Sequence, residues 1–138
     1  MVAILLAATM WGLRSLWIKN HLLAYQHNII SEINVARHYA MLSNQPIIFC
    51  GSSNHKTCDG KWAIGQLIKL NKKEQIVRAY PALSKGFQLN WHGGFSHNQA
   101  LIFNAKGYTH GQQGRFVLSK DAYKVALIIT RQGRVRPT

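Results

Sequence analysis

The sequence predicts an α+β fold in which a long N-terminal α-helix packs against antiparallel β-sheet. Two patterns predict it. Up to about Leu42 the apolar residues run at helical spacing without a break, and beyond Pro46 they fall into short runs separated by Gly, Asn, Ser and Lys. A third feature concerns the surface: 17 Lys and Arg stand against only Glu32, Asp59, Glu74 and Asp121, a net charge of +13. With 138 residues and a hydrophobic share of 47%, the chain fits one domain with a core of ordinary size and is not a disordered basic tail.

The helix is expected in two halves. Residues 1–13 are mostly apolar but fall short of the ~20 needed to cross a bilayer. No basic segment precedes them and no clear cleavage site follows, which argues against an ordinary signal peptide. Arg14 and Lys19 come next, beside Trp11 and Trp17, as in an interfacial aromatic belt. Residues 1–18 therefore read as the last part of a membrane anchor whose beginning precedes this sequence. An amphipathic helix lying on a core or a membrane surface is the competing reading. From Leu22 onward, Leu22, Tyr25, Ile29, Ile33, Ala36 and Ala40 alternate in steps of three and four, the stripe of a helix packed on something else. Ser43-Asn44-Gln45-Pro46 stops it. Residues 19–138 would thus form the soluble domain, including this second half.

Strands are expected at Ile47–Cys50, Ala63–Leu70, Gln75–Tyr80, Phe87–Trp91, Ala100–Asn104, Arg115–Ser119 and Lys124–Thr130, with breaks at 93–98 and 106–114. Their spacing indicates antiparallel pairing, one face lying on the helical stripe. Trp62, Phe87, Trp91, Phe103 and Phe116 sit in or beside these runs and are expected to fill the core. Segment 106–114 reads as a flexible hairpin loop, an ordinary surface turn that could also touch a ligand.

Cys50 and Cys58 flank a turn-rich segment. Their even count and close spacing suit one disulfide in an oxidising compartment, with two reduced buried thiols as the alternative. Closing so short a loop contributes about 2.5 kcal/mol in the chain-entropy model.

The last element is a basic tail, residues 131–138. Arg131, Arg134 and Arg136 share eight residues with no acid. In an extended backbone Arg134 and Arg136 project to one side, about 6.6 Å apart, each able to grip a phosphate with two charge-assisted hydrogen bonds. Gly133 frees the chain to turn before the pair, and Pro137 blocks a regular continuation after it. From Lys106 onward there are seven Lys or Arg and one acid. Such a balance favours nucleic acid or an anionic membrane surface as partner, against the bland reading of solvated charge on a last strand.

The same composition excludes several classes. So few carboxylates leave no pair for glycoside-type hydrolysis and no hard-cation site. His92, His97 and His110 follow no metal-ligand spacing, Gly60-Lys61 lacks the rest of a phosphate loop, and no nucleophile–base set is evident. No enzyme activity, cofactor, metal or small-molecule substrate is expected.

Several short segments then point to a family. They are Ile33-Asn34-Val35-Ala36-Arg37, Gln45-Pro46-Ile47-Ile48-Phe49-Cys50, and Cys58 followed by Trp62 and Gly65. Further on come Leu101-Ile102-Phe103-Asn104 with Gly107, Gly114-Arg115-Phe116, and Ile129-Thr130-Arg131-Gln132-Gly133-Arg134. In this order and spacing the chain resembles the type IV minor pilin and type II secretion H-type pseudopilin family, the GspH/FimT group. The resemblance implies a long helix on β-sheet, insertion in the inner membrane with a periplasmic domain, display on a pilus, and other major and minor pilins as partners. Members begin with a basic leader, a Gly cleavage site and a glutamate early in the mature helix. None of these is found here, and Met1 falls within what corresponds to the family's hydrophobic segment.

Competence-associated FimT-like pilins bind DNA through a C-terminal Gly-Arg-x-Arg motif, which Gly133-Arg134-Val135-Arg136 matches. The resemblance thus implies binding of double-stranded DNA for uptake in natural transformation. Arg134 and Arg136 would carry the main contacts with Arg131 in support, while Lys106, Arg115, Lys120 and Lys124 extend the basic face. The alternative within the family is a secretion pseudopilin or pilus-priming subunit that acts only through protein contacts.

Overall fold

The computed structural model describes residues 2–71, 75–94 and 100–138. Glu74, His97 and most of the 93–98 break lie outside the described residues. One helix, α1 (Val2–Ser43), is followed by eight strands: β1 (Ile47–Gly51), β2 (Gln66–Leu70), β3 (Ile76–Tyr80), β4 (Gln88–Gly93), β5 (Ala100–Phe103), β6 (Gly114–Lys120), β7 (Tyr123–Ile129) and β8 (Val135–Pro137).

At 42 residues α1 is about 63 Å long. Its second half carries the expected stripe inward: Leu22, Ile29, Ile33, Ala36 and Ala40 are buried, joined by Ile18, Gln26 and Glu32, while Tyr25 is half-buried at the edge. Along the first half Ile4, Leu5, Leu6, Met10, Trp11, Leu13 and Leu16 are exposed. No helix among the described residues is long and apolar enough to cross a membrane. The helix ends where Asn44 turns left-handed (φ 54°) and the Gln45 N–H bonds back to the Ala40 carbonyl at 3.3 Å, ahead of Pro46.

The strands form two four-stranded antiparallel sheets, in the orders β3-β2-β1-β5 and β4-β6-β7-β8. In the first, Ile68, Phe49 and Leu101 lie side by side in register, all buried. In the second, Trp91, Phe116 and Leu127 form the corresponding inner row. Trp62 joins the two sheets, with ring centroids 5.2 Å from Phe49 and 4.7 Å from Phe116. All five aromatics expected inside are buried.

Two expectations need correction. The strand read from Ala63 begins only at Gln66, because Lys61–Ile64 make a turn that swings Trp62 into the core; Ile64 N–H bonds to Lys61 O at 3.2 Å. Segment 106–114 does turn back on the end of β5, where Phe103 pairs with Thr109 and His110 N–H reaches Ile102 O at 3.0 Å, but it is not the flexible loop expected. It crosses from β5 in one sheet to β6 in the other. It is also tied down along its length: Asn104 Oδ1 accepts the N–H groups of Lys106 and Tyr108 at 3.0 Å, and the Gln112 side chain bonds Ile102 N and Ala100 O at 2.9 and 2.7 Å. Cys50 and Cys58 are joined in a disulfide.

Candidate nucleic-acid interface

The basic tail is a folded element rather than a loose end. After β7, Gly133 N–H bonds to Thr130 O at 2.9 Å, and Gly133 takes φ +80°, a conformation that L side chains rarely adopt. The chain then reverses and pairs with β7: Thr130 N–H reaches Arg134 O at 2.9 Å, and Thr138 N–H reaches Ala126 O at 3.0 Å. That same Ala126 carbonyl accepts the buried Gln26 amide of α1 at 2.5 Å, so helix, β7 and tail meet at one acceptor.

Register decides which cations share a face. His92 on β4 lies opposite Arg115 on β6, Arg115 opposite Ile128 on β7, and Ile128 opposite Arg136 on β8. This row lies on the face of the second sheet opposite the Trp91–Phe116–Leu127 row, because side chains alternate along each strand. Two inter-strand spacings separate Arg115 from Arg136, about 10 Å. Arg134 continues the β8 side at the turn, and Lys124 lies on the same face of β7 as Ile128. Arg115, Lys124, Arg131, Arg134 and Arg136 are all exposed. Two shallow grooves mark this face. One of about 590 Å³ is lined by Thr130, Gln132, Arg134, Val135 and Arg136, and one of about 400 Å³ by His92, Arg115, Val117, Lys124, Val125, Ala126 and Thr138. The ion pair found among the described residues, Arg14–Asp121 at 3.5 Å, involves none of these cations.

Arg131 is exposed at the turn, where its carbonyl accepts both the N–H and the hydroxyl of Thr109 at 3.1 Å. Lys106 is exposed in the β5–β6 connection, next to Gly107, which packs against Gly133 of the tail turn. Lys120 is turned elsewhere. It shares the inward parity of Phe116 and Leu118, donates to Lys85 O at 3.1 Å, and lies 4.7 Å from the Phe87 ring and 5.4 Å from that of Trp17. His92 was not read as part of a basic face from sequence, although its place in the row follows from strand alternation once β4 is paired with β6. No group of three or more His, Cys, Asp or Glu that could hold a metal occurs among the described residues.

A long helix laid on two antiparallel sheets, with a disulfide-stapled loop, defines a pilin-like α+β protein. The GspH family model, described as type II transport protein GspH, matches residues 26–133, most of the chain, and the chain belongs to that family. Its members are structural subunits, minor pilins and pseudopilins that interact with other pilins at the membrane and in pili, and they are not enzymes. Among solved structures the chain is similar to the type IV minor pilin FimU of Pseudomonas aeruginosa, at 15% identity and TM-score 0.70, covering 87% of this chain and 90% of that one. It is also similar to the minor pseudopilin EpsH of the Vibrio cholerae type 2 secretion system, at 11% identity and TM-score 0.59, covering 86% and 96%. No curated protein sequence matches it.

Proposed function

We propose that this minor pilin binds double-stranded DNA through its phosphates, without sequence preference, and serves DNA uptake in natural transformation. Residues 1–18 belong to an inner-membrane anchor, and residues 19–138 form the periplasmic domain that reaches the cell surface when the subunit enters a pilus. The observation that carries this reading is the outward row of Arg115 and Arg136 about Ile128, with Arg134 beside it, on a chain of net charge +13. Paired strands fix the backbone positions from which these arginines project, so only the side chains need ordering when phosphate binds. Phosphate contacts give affinity and register but read no bases, so binding is sequence-independent and steeply salt-dependent.

An electrophoretic mobility shift with duplex DNA at several salt concentrations tests the proposal. The wild type retards unrelated duplexes equally, and the Arg134→Gln/Arg136→Gln protein, folded by circular dichroism, loses most of the shift. A folded double mutant that binds as well as the wild type removes the tail from the interface. A wild type that ignores DNA in dilute buffer leaves the second reading, a subunit working only through protein contacts, to which the family's type II transport description lends weight.

A further inference from the structure

Of the three acidic side chains described, two are satisfied. Asp121 pairs with Arg14, and Asp59 accepts the backbone N–H groups of Ser53 and Lys61 at 3.1 and 3.0 Å together with the Ser53 hydroxyl. Glu32 is different. It lies on the buried stripe of α1, only 7% exposed, and its Oε2 is sealed from solvent without a hydrogen-bond partner. Beside it is a cleft of about 260 Å³ between α1 and the end of β3, walled by Tyr25, Ile29, Tyr80, Pro81 and Leu83. That is about the volume of eight or nine water molecules. The other polar groups facing it are already engaged: Tyr25 Oη meets Ser84 Oγ at 2.7 Å, Gln66 Nε2 bonds the Trp62 carbonyl, and the Tyr80 hydroxyl interacts with Arg78. Asn28 and Ser31 stand at the exposed rim.

We infer that this cleft receives a lysine side chain of another pilin subunit, its ammonium on the Glu32 carboxylate and its aliphatic stem between the Tyr25 and Tyr80 rings. Charge complementarity selects a cation, since a buried carboxyl without a partner is satisfied by an opposite charge that brings its own hydrogen-bond donors. The apolar walls select a cation on a hydrocarbon stem. With Oε2 sealed, a guanidinium cannot use its bidentate fork and loses its advantage, whereas the ammonium of lysine is a point donor that one carboxylate oxygen serves. A protein partner follows from family membership, since these subunits work by contact with other pilins. The inference does not depend on DNA binding.

Burial raises the empty Glu32 carboxyl to a pKa of about 8, with Tyr25 of α1 and Tyr80 of β3 the other titratable groups lining the cleft and Arg78 interacting with Tyr80. An arriving ammonium must therefore displace a proton from Glu32 at neutral pH. The chain has two glutamates, Glu32 and Glu74, so labelling glutamate with carbon-13 at the side-chain carboxyl gives a spectrum in which Glu32 is readily assigned. The test uses the full chain in detergent micelles, with n-butylammonium as the lysine mimic and n-butanol as its neutral counterpart. Butylammonium is expected to saturate the site and move the Glu32 signal to its ionised position, with affinity rising about tenfold per pH unit from 6 to 8 and levelling above. Glu32→Gln is expected to abolish this binding while keeping the fold and the DNA shift. Absence of a saturable change, equal binding by Glu32→Gln, or equal, pH-independent binding of butanol overturns the inference. In pili purified from cells producing the full protein, a carbodiimide is expected to join the Glu32 carboxyl to a lysine of another subunit, with loss of water. If Glu32 is activated there but couples to no pilin lysine, the assigned partner is wrong.

Discussion

Gly133 in the tail turn packs face to face with Gly107 in the β5–β6 connection, so closely that a Cβ on Gly133 would collide with the Gly107 carbonyl oxygen. Both residues have positive φ, and Arg37 of α1 donates from Nε to that same carbonyl at 3.1 Å. The turn that aims Arg134 is thus locked to the helix through a loop from the other sheet. Gly133→Ala meets two obstacles, a left-handed backbone and a wall of main chain that cannot swing aside. It should cost about 2–3 kcal/mol in chemical denaturation and weaken DNA binding as the tail shifts. Gly111→Ala is the control: its φ of +74° is similar, but nothing lies within 4 Å of the added Cβ. It should cost only about 1 kcal/mol and leave DNA binding intact.

Salt dependence distinguishes a clamp from diffuse attraction. If Arg134 and Arg136 each neutralise one phosphate, replacing both with Gln lowers the slope of log affinity against log salt by about 1.8. The affinity loss should be the same for duplexes of unrelated sequence, because phosphates carry no sequence information. Fluorescence anisotropy between low and moderate salt measures both quantities. A large loss for one duplex and a small one for another would point to base contacts instead.

Arg115 and Lys120 lie five residues apart on one strand yet face opposite ways, so their substitutions should separate binding from stability. Arg115→Gln removes a cation from the outward row and is expected to weaken DNA binding several-fold with little effect on unfolding. Lys120→Gln removes the contacts over Phe87 and Trp17 and the bond to Lys85 O. It should cost roughly 0.5–1 kcal/mol of stability while DNA binding changes little. The reverse pattern would place the DNA on the helix side of the sheet.

Much of this layout was legible in the residues. The steps from Leu22 to Ala40 give the buried stripe of α1 because a helix repeats every 3.6 residues, and alternating runs give the strands. The division into two sheets was not legible, since β5 pairs back with β1 across about fifty residues and local pattern carries no information about such partners. Arg134 and Arg136 were readable as a pair from the i, i+2 rule alone. Their alignment with Arg115 needed the β6–β7–β8 register. Parity could have excluded Lys120 from the outward face, since it stands two residues beyond Leu118 and four beyond Phe116. Glu32 was equally readable as buried, three residues from Ile29 and four from Ala36, but its lack of a partner is a property of the packed structure.

The disulfide supports the loop that turns Trp62 inward, where a Cβ on Gly51 would touch the Trp62 backbone. Replacing Cys50 and Cys58 with Ala should lower stability by about 2–3 kcal/mol, measured as a shift in the denaturation midpoint. Treating the wild type with reductant should reproduce most of that loss and leave the alanine protein unaffected. DNA binding by the remaining folded protein should be unchanged, because this loop belongs to the first sheet and the cationic row to the second.

Glu32 sets an unusual pH dependence. Burial raises its pKa from 4.5 to about 8, so the folded chain holds this proton more tightly than the unfolded chain does. The stabilising contribution is complete below about pH 4.5, where both states are protonated, and is lost as pH rises through 8 and the buried carboxyl is forced to ionise. With no cation in the cleft, stability should fall between pH 5 and 9 by an amount on the order of 4 kcal/mol. This is the opposite of the usual acid denaturation by paired carboxylates. Glu32→Gln keeps the shape and removes the titration, so its stability should be nearly flat over that range and exceed the wild type at pH 9. Denaturant titrations of both proteins at each pH unit measure the difference. If the wild type is as flat as the variant, Glu32 is either hydrated or paired in solution, and the cleft beside it is not an empty acceptor.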